Sequence, residues 1–161
     1  MLKTKAIYAG SFDPVTYGHL NILESAQKLF DEIFVAVARN IGKTPTFIQD
    51  ERVKLLQQAV RTKKNIHVEA FDGLAVDYAR QKGAVAMIRG LRALSDFDTE
   101  FQMALANQRL NRHIETVFLM PKEDLFFISS RLIKEIVTMG GSVKDFVPPF
   151  VERALKEKLA N

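Results

Sequence analysis

Five short apolar runs alternate with stretches of helical periodicity along this chain, and that order restricts the fold more than any other feature. The runs lie at Lys5–Gly10, 33–38, Ile66–Phe71, 84–88 and 116–120. The second is apolar throughout, as a strand covered on both faces must be. A helix is predicted over 19–30, with Leu20, Leu23, Ala26, Leu29 and Phe30 turned inward. A second, capped by Asp50, runs to about Arg61 with Val53, Leu56 and Val60 inward. A short helix over 74–81 is stopped by Gly83, and a long one over 95–110 opens on Ser95 with Asp98 three residues on. Ser129 caps a helix over 129–139 that Gly140 and Gly141 end, and Pro148-Pro149 starts a last helix to Leu159. Strands joined through helices pair in parallel with right-handed crossovers. The expected fold is therefore α/β: a doubly wound five-stranded parallel sheet with helices on both faces. Ligands of such sheets bind beyond the carboxyl ends of the strands, at the point where strand order reverses.

The first strand–helix unit carries the chemistry. In Ala6-Ile-Tyr-Ala-Gly-Ser-Phe-Asp-Pro-Val-Thr-Tyr-Gly-His19 a strand leads into a tight loop, and a helix then opens on a histidine. Free backbone N–H groups and the positive end of a helix dipole favour an anion there. Gly10 and Gly18 have no Cβ, so the backbone can approach a ligand closely. Ser11 adds a hydroxyl and His19 a ring donor for a phosphate oxygen. A nucleotide or phosphate site is the direct reading.

The length of 161 residues suits one domain, 1–161, with a sizeable core, and 47% apolar content excludes a disordered chain. No apolar run approaches the roughly 20 residues needed to span a bilayer, and the N-terminal run is too short for a secretory signal. Cysteine is absent, so disulfide and thiolate chemistry are excluded and a cytoplasmic location is the simplest expectation. The net charge of +4 suits anionic substrates. The basic residues are scattered, which argues against nucleic acid as a partner. His67 alternates with Ile66, Val68 and Ala70 and is assigned to an exposed strand face, and His113 to a solvated turn. Asp13 and Pro14 are read as shaping the loop.

Two further blocks follow the first, Arg89-Gly-Leu-Arg92 and Ile128-Ser-Ser-Arg131-Leu-Ile-Lys-Glu135. All three fall beyond the ends of strands one, four and five, so chain-distant motifs converge on one sheet edge. Together they resemble the nucleotidylyltransferase superfamily, and most closely the bacterial phosphopantetheine adenylyltransferases, over nearly the whole chain. The resemblance implies a Rossmann-like domain that moves AMP from ATP to 4′-phosphopantetheine, with dephospho-coenzyme A and pyrophosphate as products. It implies that His19, Lys43 and Arg92 stabilise the transferring phosphate. Ser11, Lys43, Leu74, Ala75 and Arg89 fall to the phosphopantetheine side. Ser11, Phe12, His19, Gly90, Leu91, Arg92, Glu100, Leu125, Phe126, Phe127, Ile128, Ser129, Ser130 and Arg131 fall to ATP. Arg131 stands where the family carries Ser or Thr, and Thr99 where an aromatic is common. Mg²⁺ is implied as a cofactor held mainly by the ATP phosphates, because the sequence has no dedicated carboxylate cage. Feedback inhibition by coenzyme A and a homohexamer are implied too. The competing readings are another nucleotidylyltransferase, acting on nicotinamide mononucleotide or using CTP, and a non-catalytic nucleotide or coenzyme A sensor.

Overall fold

The computed structural model describes residues 3–39, 44–92 and 94–159. Its single sheet comprises β1 (Lys5–Gly10), β2 (Glu32–Ala38), β3 (Ile66–Phe71), β4 (Ala86–Gly90) and β5 (Glu115–Leu119), in the order β3-β2-β1-β4-β5. All four pairings are parallel. The chain therefore winds outward from β1 to β3, returns to β4, and continues to β5. The strand order reverses between β1 and β4, whose registers place Tyr8 opposite Ile88.

The helices are α1 (Tyr17–Ala26), α2 (Gln49–Ala59), α3 (Ala75–Lys82), α4 (Leu94–Leu110), α5 (Ser130–Thr138) and α6 (Pro149–Leu159), with a 3-10 turn at Glu123–Leu125. Alternate strand residues feed two cores. Ala6, Tyr8, Val35, Val37 and Ile88 meet Ile22, Leu23, Leu56, Ile133, Val151 and Leu155 on one face. Ile7, Ala36 and Met87 meet Val76, Ala79 and Ile114 on the other. Strands buried on both faces explain the continuous apolar runs.

Several ends differ from the sequence expectation. α1 begins at Tyr17, because Thr16 is the residue that caps it: its hydroxyl accepts from His19 N–H at 3.4 Å. The helix closes at Ala26, so Leu29 lies beyond it and is exposed rather than inward. Asp50 sits in the first turn of α2 instead of capping it; there Glu51 closes back on Ile48 N–H at 2.9 Å. β4 lies two residues further along than expected and carries Arg89 and Gly90 within the ladder, opposite Phe118 and Leu119. α4 starts at Leu94, and the Ser95 side chain is outside the described residues. Gly83 ends α3 at φ 65°, the left-handed geometry that favours glycine.

Candidate active site

β1 and β4 end side by side at Gly10 and Gly90, and the space above them is a cleft of about 470 Å³. Two helix N-termini open into it. Gly18 and His19 bring the first turn of α1, and Ser129 and Ser130 bring the start of α5. The positive ends of two helices make the cleft a natural place for phosphate groups.

The loop between β1 and α1 is held from behind. Phe12 has φ 49°, an uncommon conformation for a residue with a side chain, and its ring is buried against Tyr8 and His19 at 5.2 and 5.0 Å. A Cβ on Gly10 would lie 3.2 Å from that ring, so glycine lets the two approach without the ring giving way. Arg52 on α2, 1% exposed, donates to three carbonyls: Phe47 at 3.0 Å, Ser11 at 2.6 Å and Ala38 at 2.9 Å. It thereby ties the exits of β1 and β2 to the start of α2. Asp13 completes the frame. Its carboxylate accepts from Thr46 and Phe47 N–H at 3.0 and 2.9 Å and pairs with Lys134 of α5 at 3.1 Å. Asp13 thus has the structural part the sequence suggests.

His19 is oriented by the same helix start that presents it. Thr16 N–H donates to its Nδ1 at 3.0 Å. A backbone N–H can only donate, so Nδ1 carries the lone pair and the neutral ring keeps its proton on Nε2. Burial, with the Arg92 charge as a second cause, lowers its pKa to about 4. His19 is consequently a neutral N–H donor near pH 7. Burial likewise raises the Tyr8 pKa well above its ordinary value, which keeps that phenol protonated.

Four cationic side chains line the cleft, Arg89, Arg92, Arg131 and Lys134, against the carboxylates of Asp13 and Glu100. Both carboxylates are engaged. Glu100 receives Arg89 Nε and Nη2 at 2.6 Å each, and Asp13 takes Lys134. The cleft is thus a positive pocket with its negative groups already matched. Among the described residues no group of three or more His, Cys, Asp or Glu side chains could cage a metal ion.

Of the residues singled out in the sequence, Ser11, Phe12, His19, Arg89, Gly90, Arg92, Glu100, Ile128, Ser129, Ser130 and Arg131 come together around the cleft. Arg92 donates to Ile128 O at 3.4 Å, and Ser130 Oγ to Pro14 O at 2.8 Å. Arg131 stands at the mouth and pairs along α5 with Glu135 at 2.9 Å. Leu91, Leu125, Phe126 and Phe127 do not line the cleft, and Phe127 is 58% exposed. Leu74 and Ala75 lie at the start of α3, beyond β3, and are not among the residues that line the cleft. Lys43 is outside the described residues, next to Thr44 and Pro45, which do line the cleft. His67 is exposed and stacks on Phe34 at 5.1 Å, and His113 is exposed.

Sequence reasoning missed Arg52, Lys134 and Tyr8. A signal for Arg52 was present: with Leu56 and Val60 it forms an i, i+4, i+8 stripe on the inward face of α2.

The chain matches the cytidylyltransferase-like family over residues 7–136. The phosphopantetheine adenylyltransferase of Thermodesulfovibrio yellowstonii is 54% identical across 98% of this chain and 98% of its own length. That of Heliobacterium modesticaldum is 50% identical across 96% and 92%, and that of Staphylococcus haemolyticus 46% identical across 98% and 98%. Among solved structures, the lipopolysaccharide core biosynthesis protein of Thermoplasma volcanium matches with a TM-score of 0.57. It is 23% identical and covers 75% of this chain and 99% of its own, a likeness of fold.

Proposed function

This chain belongs to the cytidylyltransferase-like family, and as a relative of the phosphopantetheine adenylyltransferases it makes dephospho-coenzyme A from ATP and 4′-phosphopantetheine; we propose that the transfer takes place in the cleft above β1 and β4. The observation that carries this placement is the meeting of two helix N-termini, an Nε2–H donor and an excess of cations at the switch point.

The acceptor oxygen belongs to a phosphate monoester, whose second pKa is about 6. It is anionic near neutral pH, so no general base is needed. The oxygen attacks the α-phosphorus of ATP in line, the new P–O bond forms, and the bond to the bridging oxygen breaks as pyrophosphate leaves. The task of the protein is to bring two anions together and to receive the charge that develops. His19 donates from Nε2 to an α-phosphate oxygen. Arg92 and the N–H groups opening α5 hold the triphosphate, with Gly90 and the 128–131 segment around the nucleotide. Ser11 lies between the two substrates. Arg89 and Lys43 hold the acceptor phosphate, and the pantetheine arm extends toward Leu74 and Ala75. Positioning and preorganised charge account for the rate.

The reaction uses ATP with a divalent metal ion. The cleft's carboxylates are committed to Lys134 and Arg89, which favours an ion, Mg²⁺, carried by the triphosphate oxygens and water rather than by side chains. Residues 1–161 form one nucleotidylyltransferase domain working as a cytoplasmic homohexamer inhibited by coenzyme A. The exposed Phe97, Phe101, Met103 and Leu105 of α4, beside the edge strand β5, support self-association. Among the described residues no helix is long and apolar enough to cross a membrane.

A substrate panel tests the reading. ATP with 4′-phosphopantetheine should give dephospho-coenzyme A, while CTP or nicotinamide mononucleotide as replacements should not turn over. Preference for either replacement would overturn it. Lys43→Ala should raise the acceptor KM by about tenfold and leave ATP affinity near the wild-type value, as loss of one phosphate contact does. Unchanged acceptor kinetics would remove Lys43 from the site.

A further inference from the structure

We propose that the Tyr8 hydroxyl is a nucleotide contact, an uncharged O–H donor that meets an oxygen of ATP beside Gly90. The inference rests on the reading above that sets the nucleotide against Gly90 in this cleft. Tyr8 is 6% exposed, yet it lines the cleft. Its ring is held edge-on against Phe12, with centroids 5.2 Å apart at 85°, and lies 6.4 Å from the ring of His19. Its Oη reaches past the register neighbour Ile88 to Gly90, where an added Cβ would lie 3.6 Å from it. That Cβ would also press on Ile22 at 3.3 Å, so glycine at position 90 keeps the space before the hydroxyl clear. Among the described residues no hydrogen bond reaches Tyr8 Oη, as donor or as acceptor. Nor is any side-chain oxygen or nitrogen among them sealed inside the protein without a partner. The Tyr8 oxygen therefore opens to the cleft rather than ending in the core.

A largely buried phenol without a partner is costly, and buried tyrosines usually find one. Phenylalanine would fill the same part of the core without that cost. The hydroxyl is therefore explained by a ligand atom. Burial holds the phenol in its protonated form, so it can donate near neutral pH. The side of the sheet decides which substrate it meets. Successive strand residues point to opposite faces. Tyr8 and Ile88 share one face with Ile22 of α1 and Ile133 of α5, the two helices whose starts hold the triphosphate. Arg89, next to Ile88, turns to the other face and meets Glu100 of α4. The acceptor's arginine and the phenol thus stand on opposite sides of the strand ends, with Tyr8 on the nucleotide's side. An uncharged donor there suits an acceptor oxygen of the nucleotide, on the sugar or on the α-phosphate.

Tyr8→Phe tests this, because it removes one oxygen and keeps the ring. Calorimetric titration of ATP into the protein without acceptor should give a Kd about 3–10-fold weaker than wild type, the range lost with one uncharged hydrogen bond. The KM for 4′-phosphopantetheine should stay within about twofold of wild type. The urea midpoint should be unchanged or higher, since the oxygen removed has no partner in the protein. Titrations of 2′-deoxyATP and 3′-deoxyATP locate the acceptor atom. The difference between wild type and Tyr8→Phe should vanish with the analogue that lacks the bonded hydroxyl. It should persist with both analogues if the bond goes to the α-phosphate. An ATP Kd equal to that of wild type would overturn the inference, whether the acceptor KM rises or not. A lower urea midpoint with ATP affinity intact would assign the hydroxyl to packing and overturn it too. If Arg92→Ala also leaves the ATP Kd unchanged, the reading of the cleft as the nucleotide site fails, whatever Tyr8→Phe does.

Discussion

His19→Ala should lower kcat by about 10²–10³, the loss that follows removal of one preorganised donor from a developing negative charge. The more informative comparison is between two amides. The Gln amide nitrogen reaches the place of Nε2, and that of Asn the place of Nδ1. Because Thr16 N–H fills the Nδ1 side at 3.0 Å, the useful hydrogen is on Nε2. His19→Gln should thus keep clearly more activity than His19→Asn or His19→Ala. Equal losses in all three would mean that the ring carries a proton rather than donating a hydrogen bond. The pH dependence follows from the same geometry. With its pKa lowered to about 4, His19 does not titrate between pH 5 and 8. The groups facing it or sharing the cleft are Tyr8, held protonated, the cations Arg89, Arg92, Arg131 and Lys134, and the carboxylates Asp13 and Glu100, which are paired with Lys134 and Arg89. The acid limb of kcat/KM should then reflect the acceptor phosphate, near pH 6, and be the same in wild type and His19→Gln. Stability carries the opposite signature. The unfolded chain binds a proton at His19 below its ordinary pKa of 6.5, whereas the folded chain does not until about 4. Stability from this residue is therefore present above pH 6.5 and lost as pH falls from there toward 4. Urea melts at pH 5 and pH 7 should show a smaller acid loss in His19→Gln than in wild type.

Arg52→Met should destabilise the protein by about 3–5 kcal/mol, a figure set by three orphaned carbonyls and an unbalanced neighbouring carboxylate. The side chain is 1% exposed and serves Phe47, Ser11 and Ala38 at once. Burial lowers its pKa, and the charge of Asp13 opposes that shift, so the two residues share one buried electrostatic balance. Methionine fills most of the volume but donates nothing. Lysine keeps the charge yet cannot replace the planar fork, so Arg52→Lys should recover only part of the loss. Both variants should also slow turnover, because the Ser11 carbonyl anchors the loop that carries Phe12 against His19. The urea midpoint measures the first effect. A change below about 1 kcal/mol would mean that the three carbonyls find other partners.

The parts of the fold that were legible in the sequence are those whose ends coincide with a change between apolar and polar residues. β1 and β3 have the expected limits: Lys5 and Gly10 bracket the apolar run of β1, and the buried Ile66 and Phe71 mark the two ends of β3. β4 was misplaced because its last residues are Arg89 and Gly90, which carry no apolar signal, while Val85 before it is apolar but 50% exposed. α4 misleads in the other direction: Phe97, Phe101 and Leu105 repeat at helical spacing yet are exposed. The site was legible where local chemistry announces it, in a glycine loop, a capped helix start or a pair of arginines. What could not be read was pairing across the chain. Nothing in the sequence around Arg89 marks the carboxylate that meets it, which is Glu100, eleven positions on. Asp13 reaches Lys134 across 121 positions, and Arg89 reaches Ala9 across 80. Contacts of that range depend on strand order, which no local window contains.

The most direct test of the account is the mass-detected formation of dephospho-coenzyme A, with pyrophosphate release followed in parallel, by wild type and His19→Ala given ATP, Mg²⁺ and 4′-phosphopantetheine. The account predicts one pyrophosphate for each dephospho-coenzyme A in wild type and a loss of both by about 10²–10³ in the folded variant. Product formation that survives His19→Ala within about tenfold would place the chemistry outside the cleft described above.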